Sequence, residues 1–187
     1  MGLSARRQNL AAALYTSFTR TLNAECAAHI LGTYSIHPNT PDDAALTAAI
    51  KLGTDIAYYA PALVYAGGYP RNTQLYHFNE LNPWDGFFKD LSSHYLDAVY
   101  LFQNFNEHLS EEAAGLARLM GRHFLAFANG MAPWGYFKRG ERWEWDIGVY
   151  GGDGEDKGRR GAVREILAKE MGLEGWREAW EEFLKGN

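Results

Sequence analysis

The chain has 187 residues, of which 47% are hydrophobic and 14% aromatic, so its composition is that of a folded protein rather than a disordered segment. A net charge of −5, with Lys and Arg scattered among acidic residues, argues against a nucleic-acid-binding protein. Its one cysteine, Cys26, excludes an intrachain disulfide and a zinc site built from cysteines.

The N-terminal residues carry no targeting signal that the sequence reveals. Residues 1–10 lack the apolar core of a signal peptide. Nowhere does the chain approach the roughly 20 consecutive apolar residues that cross a bilayer. If Met1 is the true start, these features predict a soluble, cytoplasmic protein without a membrane span.

The first helical pattern lies near the N-terminus. Apolar residues at four-residue spacing predict one helix over residues 4–31, with Gly32 at its end. The core-facing residues of this pattern are Leu10, Leu14, Phe18 and Leu22.

A second helix is predicted to begin after a polar loop. Thr40 is its expected N-cap, Pro41 suits the first helical position, and Asp43 completes a Thr-x-x-Asp capping box. A proline and a Gly-Gly pair in residues 58–73 then predict a short third helix followed by a turn.

Three segments favour strands or turns. Residues 74–80 are short and aromatic and predict a buried strand, and residues 142–151 alternate like a half-exposed strand. Residues 98–104 fit either the end of a strand or a helical turn. The charged stretch 151–161 predicts a solvated turn.

Two helices are predicted in the C-terminal half. Ser110, followed by Glu111 and Glu112, is a good helix start, and that helix should end near Asn129 and Gly130. Its apolar stripe is Leu116, Met120, Phe124 and Phe127, and that of the terminal helix is Trp176, Trp180, Phe183 and Leu184.

The predicted elements amount to an α/β chain that is mostly helical, with two or three strands. So few and such separated strands do not form a self-sufficient sheet. The central sheet is therefore expected to be incomplete, and residues 1–187 are expected to be one segment of a single domain.

Several classes of site lack their motifs. The six histidines show no H-E-x-x-H or His-x-His spacing, and no phosphate-binding or dinucleotide-binding glycine loop occurs, so neither a metal nor a cofactor is predicted. No G-x-S-x-G nucleophile motif occurs either. What remains is His94, in a loop, with Asp97 three residues later; taken alone, such a histidine is more often structural than catalytic.

Four segments in this order resemble the C-terminal part of the type-B carboxylesterases, the cholinesterase/lipase branch of the α/β-hydrolases, in a fungal-like form. They are TDIAYYAPALVYA, TQLYHFNE, SSHYLDAVYLFQN and SEEAAGLARLMGRHFLAFANGMAPW, and the resemblance as a whole covers roughly residues 20–137. The resemblance implies an α/β-hydrolase fold, of which this chain is the C-terminal part, and a small-molecule ester as substrate.

The resemblance also implies roles for particular residues. His94 matches the histidine of the catalytic triad, the general base that takes the serine proton and returns it to the leaving alcohol. Asp97 matches the acid that supports the histidine loop. The aromatic residues expected to wall the substrate pocket, or else to lie in the core, are Trp84, Phe87, Phe88 and Phe102.

This chain departs from the family pattern in two ways. Tyr95 stands where the family usually has glycine, so the turn after His94 is expected to differ. The serine motif, the triad acid and the oxyanion-hole loop should precede His94. They are absent from residues 1–93, so the chain is not expected to hydrolyse esters alone.

Three interpretations remain open. The first is a C-terminal carboxylesterase segment that works with a missing N-terminal half or a partner chain, in a full-length form that is either retained or secreted. The second is a non-catalytic helical binding module derived from the same scaffold. The third is an independent enzyme that uses His94 and Asp97 by another route.

Overall fold

The computed structural model describes residues 8–86, 88–93, 95–137, 147–152, 156–169 and 173–186. Within these residues the chain is mostly helical, with one small sheet of two parallel strands, which confirms the outline predicted from the sequence. The helices are α1 Leu10–Thr21, α2 Ala24–Thr33, α3 Asp42–Thr54, α4 Ala60–Gly68, α5 Leu96–Leu101, α6 Glu111–Ala128, α7 Asp156–Lys169 and α8 Leu173–Lys185, and the strands are β1 Leu75–Phe78 and β2 Ile147–Tyr150.

Two compact units make up the chain. The first takes in the residues up to Tyr65 together with those from Asp156 onward, and the second is Ala66–Glu155. The prediction that all 187 residues belong to one domain stays a prediction.

Across the described residues, no helix combines the length and the apolar character that crossing a membrane requires.

The first unit begins with two helices where the sequence pattern predicted one. The chain breaks between α1 and α2 because Asn23 takes an extended conformation and its side chain accepts a hydrogen bond from the backbone N–H of Cys26, at 2.8 Å. An Asn N-cap of this kind starts a new helix. The prediction of one continuous helix was therefore wrong, although the core-facing residues Leu10, Leu14 and Phe18 are buried as expected.

Helix α3 begins one residue later than predicted and without the predicted cap. Pro41 occupies the N-cap position, and Thr40 Oγ1 instead accepts a hydrogen bond from the backbone N–H of His37, at 2.8 Å. Asp42 has a different partner: its carboxylate accepts hydrogen bonds from the backbone N–H groups of Asn9 and Leu10, so it caps α1. Residues 40–42 thus include a helix cap, but that cap is Asp42 and it belongs to α1, not to α3.

Between α3 and α4 the helix widens into one π-helical turn, Asp55–Tyr59. Asp55 is fully buried, and its Oδ2 accepts a hydrogen bond from the Tyr34 hydroxyl at 2.7 Å and lies 3.5 Å from Nε of Arg159 in α7. Helix α7 also corrects the sequence prediction, because residues from Asp156 onward are helical where a charged turn was expected. Its contact with Asp55 explains why so polar a segment is ordered against the core.

The second unit is built on the β1–β2 pair. The strands run parallel, with Tyr76 opposite Gly148 and Phe78 opposite Tyr150. Strand β1 lies where residues 74–80 predicted a strand, although it is half-buried rather than buried. Of the strand predicted over 142–151, only residues 147–151 are described, and residues 147–150 form β2.

Helices α5 and α6 cover one face of this sheet. Residues 98–104 take the helical alternative, since α5 ends at Leu101. Ser110 caps α6 as predicted, accepting from the backbone N–H of Ala113 at 3.1 Å, but Phe127 is 58% exposed and does not belong to the buried stripe. The core of the unit consists of Leu96, Tyr100, Ala113, Ala117, Met120 and Tyr150.

Candidate functional site

The predicted catalytic loop follows β1 in the second unit. His94 and Phe87 lie outside the described residues, so their predicted roles stay predictions. The described part of the loop is closed by backbone hydrogen bonds between Asn82 and residues 90–91, and Ser92 Oγ donates to the carbonyl oxygen of Phe78 at 2.9 Å. The segment that precedes His94 is thereby fastened to the end of β1.

Asp97, the predicted supporting acid, is held by a residue of the strand. The hydroxyl of Tyr76 donates to Oδ2 of Asp97 at 2.9 Å, and the Tyr76 ring makes edge contacts with Phe124 and Tyr150 at centroid distances of 5.4 and 6.0 Å. Burial, then the hydrogen bond to Asp97, raises the pKa of Tyr76 above its ordinary value. The phenol therefore stays protonated at neutral pH and remains a donor to the carboxylate.

Several residues close to α5 have left-handed backbone conformations. Of the six described non-glycine residues with positive φ, four fall between residues 90 and 105. Two of these are bulky, namely Tyr95 at φ 67° and Phe105 at φ 61°, for which this region is unfavourable. Such strain is often found at functional sites, where the surroundings over-determine the backbone.

Tyr95 offers a direct measurement of this strain. We expect Tyr95→Gly to unfold with a free energy about 1 kcal/mol above that of Tyr95→Ala, because glycine adopts φ near +67° without a Cβ clash. Both changes remove the same phenol, which is 69% exposed. The difference between their free energies of unfolding therefore reports the backbone strain alone. Urea denaturation of the two variants measures it, and equal stabilities would mean that the turn at Tyr95 is not strained.

The described aromatic residues predicted to wall a substrate pocket do not come together in one cavity. Trp84 is half-buried against the core of the unit, with its ring 6.3 Å from that of Phe105. Phe88 is 54% exposed and Phe102 is 70% exposed. None of these three residues lines the cleft described next, so their pocket role stays a prediction.

A cleft of about 490 Å³ lies at the carboxyl ends of β1 and β2, beside α6. Gly151, at φ 92°, brings β2 so close to β1 that an added Cβ would lie 2.5 Å from the backbone nitrogen of Glu80. At Gly151 and Gly152 the wall of the cleft is therefore formed by backbone. The cleft is lined by Glu80, Glu112, Ala113, Gly115, Leu116, Leu119, Arg122, Val149, Gly151 and Gly152.

The cleft contains two carboxylates, those of Glu80 and Glu112. Burial, then the negative charge of Glu112, raises the pKa of Glu80. Beside them, Tyr100 is fully buried, and burial, then the charge of Glu80, raises the pKa of its hydroxyl to about 12. The guanidinium of Arg122 lines the same cleft.

Sequence reasoning missed these cleft residues. Glu80 is the last residue of the predicted strand and Glu112 lies in the first turn of a predicted helix, but nothing in the sequence pairs the two elements. The position of Glu80 carried one usable signal, because ligands of α/β proteins often bind beyond the carboxyl ends of strands. Among the described residues, no group of three or more His, Cys, Asp or Glu side chains is arranged to hold a metal ion.

Comparison of the chain with protein-family models, with curated proteins and with solved structures found no significant match.

Proposed function

We propose that this chain is the C-terminal segment of a serine carboxylesterase of the cholinesterase/lipase branch and that it supplies His94 as the general base. The observation that carries the proposal is the backbone of Tyr95, at φ 67°. The family usually has glycine at this position, and glycine is the residue that adopts positive φ most readily. A positive φ at Tyr95, where the family usually has glycine, therefore supports the proposal.

Two further observations support the proposal. The loop that carries His94 leaves the carboxyl end of a parallel strand, the edge at which α/β enzymes place their sites. Tyr76 fixes the carboxylate of Asp97 three residues after His94. An acid held in this way keeps the start of α5, and with it the end of the histidine loop, in one arrangement.

The proposed chemistry is general-base catalysis. His94 takes the proton of a serine hydroxyl as that oxygen attacks the ester carbonyl, and it returns the proton to the leaving alcohol. The serine, the triad acid and the oxyanion hole come from sequence upstream of this segment or from a partner chain. A parallel pair of strands fits this role, because parallel strands occur almost only inside larger, covered sheets.

The intact mass of the native protein in its source cells tests the proposal. The protein is captured through a C-terminal peptide, and its mass and upstream peptides are read by mass spectrometry. A mass well above 21 kDa, with an upstream G-x-S-x-G peptide, supports the esterase. A mass of 21 kDa, without a tightly bound partner that carries such a peptide, contradicts it.

A helical interaction module is the second candidate, and exposed aromatic residues favour it. Tyr95, Phe102 and Phe105, which flank α5, are each more than half exposed. Exposed apolar surface of this kind commonly marks a binding face. A monomeric 21 kDa chain that unfolds cooperatively above about 60 °C, the upper range of mesophile domains, would favour this module over an esterase segment.

A further inference from the structure

The C-terminal end of α6 carries large apolar side chains that are exposed to solvent. Leu125 is 66% exposed, Phe127 is 58% exposed, and Met131, just past the helix, is 59% exposed. We call these three residues the apolar tip. The tip lies within residues 123–137, which contain no Asp, Glu, Lys or Arg. Exposed apolar surface of this kind commonly marks a contact site.

The apolar tip is held in a fixed conformation on both sides. Helix α6 ends in a Schellman motif, with Gly130 at φ 78° and the N–H of Met131 donating to the carbonyl oxygen of Ala126 at 3.0 Å. Further on, the N–H of Phe137 donates to the carbonyl oxygen of Thr73, just before β1, at 2.8 Å. The exposure of the tip therefore does not come from a frayed helix end.

The apolar tip is convex. Leu125 and Phe127 are two residues apart on α6, and side chains at this spacing point in nearly opposite directions, because each residue turns the helix by about 100°. Both are nevertheless more than half exposed. A flat protein surface covers only one side of such a tip, whereas fluid hydrocarbon surrounds it, since the hydrophobic effect has no preferred direction. The shape therefore favours a lipid surface over a flat protein partner.

Two cationic side chains accompany the tip. Arg122 and Arg118 are exposed and lie on the same side of α6 as Leu125, one and two turns before it. At about 1.5 Å per residue they stand roughly 5 and 10 Å behind Leu125 along the helix axis. The acidic residues of α6, Glu111 and Glu112, lie in its first turn, at the opposite end. Although the chain has a net charge of −5, its apolar tip is thus next to positive charge.

We propose that the apolar tip docks the protein onto an anionic lipid surface. Leu125, Phe127 and Met131 enter the boundary between headgroups and hydrocarbon, to the depth of about 5–10 Å that interfacial helices reach. Arg118 and Arg122 then lie at the level of the headgroups and donate hydrogen bonds to lipid phosphates. The contact is peripheral, and it does not depend on the proposed esterase role.

Co-flotation of the 187-residue chain with lipid vesicles tests the proposal. Vesicles of equal parts phosphatidylserine and phosphatidylcholine should bind the chain, with half-saturation on the order of 1 mM lipid or below, because a single small anchor gives reversible binding. Vesicles of phosphatidylcholine alone should bind it about tenfold more weakly, because they lack the net negative charge that attracts the arginines.

Variants of the tip separate insertion from general adhesion to vesicles. We expect Leu125→Gln and Phe127→Gln each to weaken binding to the anionic vesicles about tenfold, because each withdraws one large apolar side chain from the lipid. Leu91→Gln is the matched control. Leu91 is 53% exposed, but it lies in the loop after β1, which leaves the sheet beside the start of α6 rather than its end. It should leave binding unchanged.

The combined change Arg118→Gln and Arg122→Gln tests the contribution of charge. This double variant should bind the anionic vesicles about tenfold more weakly than the wild type, because each arginine near an anionic surface adds to the affinity. Its binding to vesicles of phosphatidylcholine alone should stay as in the wild type. The double variant should therefore lose the preference for phosphatidylserine.

Sedimentation velocity without lipid tests the main alternative, that the apolar tip contacts a second copy of the chain. The wild type should be monomeric. Far-UV circular dichroism shows whether each variant is folded, and if one tip variant is not, the other decides. The proposal is overturned by no flotation with the anionic vesicles, equal flotation with both kinds of vesicle, an equal loss in Leu91→Gln, or an arginine double variant that keeps the preference. A wild-type dimer that Leu125→Gln and Phe127→Gln dissociate would also overturn it.

Discussion

Replacing Asp55 with alanine is expected to lower the free energy of unfolding by about 3–5 kcal/mol, the usual cost of removing one partner from a buried ion pair. Asp55 is fully buried, and its Oδ2 accepts the 2.7 Å hydrogen bond from Tyr34 and lies 3.5 Å from Nε of Arg159. Alanine removes the acceptor and the negative charge together. Urea denaturation followed by circular dichroism measures the change.

Three companion variants show whether the network is the cause. Asp43→Ala removes an exposed acid from α3 and should cost less than about 1 kcal/mol. Asp55→Asn keeps an acceptor for Tyr34 and loses only the charge, so its cost should fall between the two. Combining Asp55→Ala with Arg159→Met should cost less than the sum of the single changes, because the two groups interact. A loss for Asp55→Ala no larger than that for Asp43→Ala would contradict the prediction.

The Asp55 network illustrates a feature that the sequence did not predict. Asp55 stands in an apolar helical run, where spacing alone does not distinguish a buried acid from an exposed one. Its partners are Tyr34, directly after α2, and Arg159 in α7, which are distant in the sequence. The charged stretch 151–161, which includes the start of α7, was predicted to be a solvated turn, and nothing in its sequence indicated that Arg159 contacts a buried carboxylate. Local patterns do not contain this information.

The sequence predicted secondary structure correctly where interactions between residues close in the chain determine it. Ser110 followed by two glutamates gave the start of α6, because a side-chain cap and the helix dipole act within one turn. Asn23 carried an equally local capping signal, but the apolar spacing that continued across it predicted one helix where there are two. Both β1 and β2 lie in segments that the sequence predicted as strands, whereas their parallel pairing was not predicted, since it spans both α5 and α6.

The candidate site was predicted only in part for the same reason. The loop after β1 follows from the order of residues along one segment, whereas the supporting role of Asp97, which the family resemblance implies, stays a prediction. Tyr76 as the partner of Asp97 requires the register of β1 against α5, and the opposition of Glu80 to Glu112 requires strand ends to meet a helix. Pleat and helix periodicity fix which way each side chain points, but only the packing of elements decides what it contacts.

In the longer polypeptide or complex that the proposed esterase requires, His94→Ala is expected to lower the rate of ester hydrolysis by between about 10⁴- and 10⁶-fold. Without the base, the serine hydroxyl is not activated, and only substrate binding and the oxyanion hole still contribute to the rate. Hydrolysis of a short-chain p-nitrophenyl ester by wild type and variant measures the effect.

His108→Ala is the matched control, because His108 is exposed and its nearest charged neighbour is Glu107 on the surface, 3.6 Å away. It should leave the rate unchanged. Tyr76→Phe should lower the rate far less than His94→Ala, since it frees Asp97 without removing the base. We therefore expect a large effect at His94, a small one at Tyr76 and none at His108. This order is expected if His94 is the general base and Tyr76 only helps to hold its loop in place. A His94→Ala variant whose rate of ester hydrolysis stays within about tenfold of the wild-type rate would exclude His94 as the general base. The interaction module, with its exposed aromatic residues around α5, would then be the preferred function.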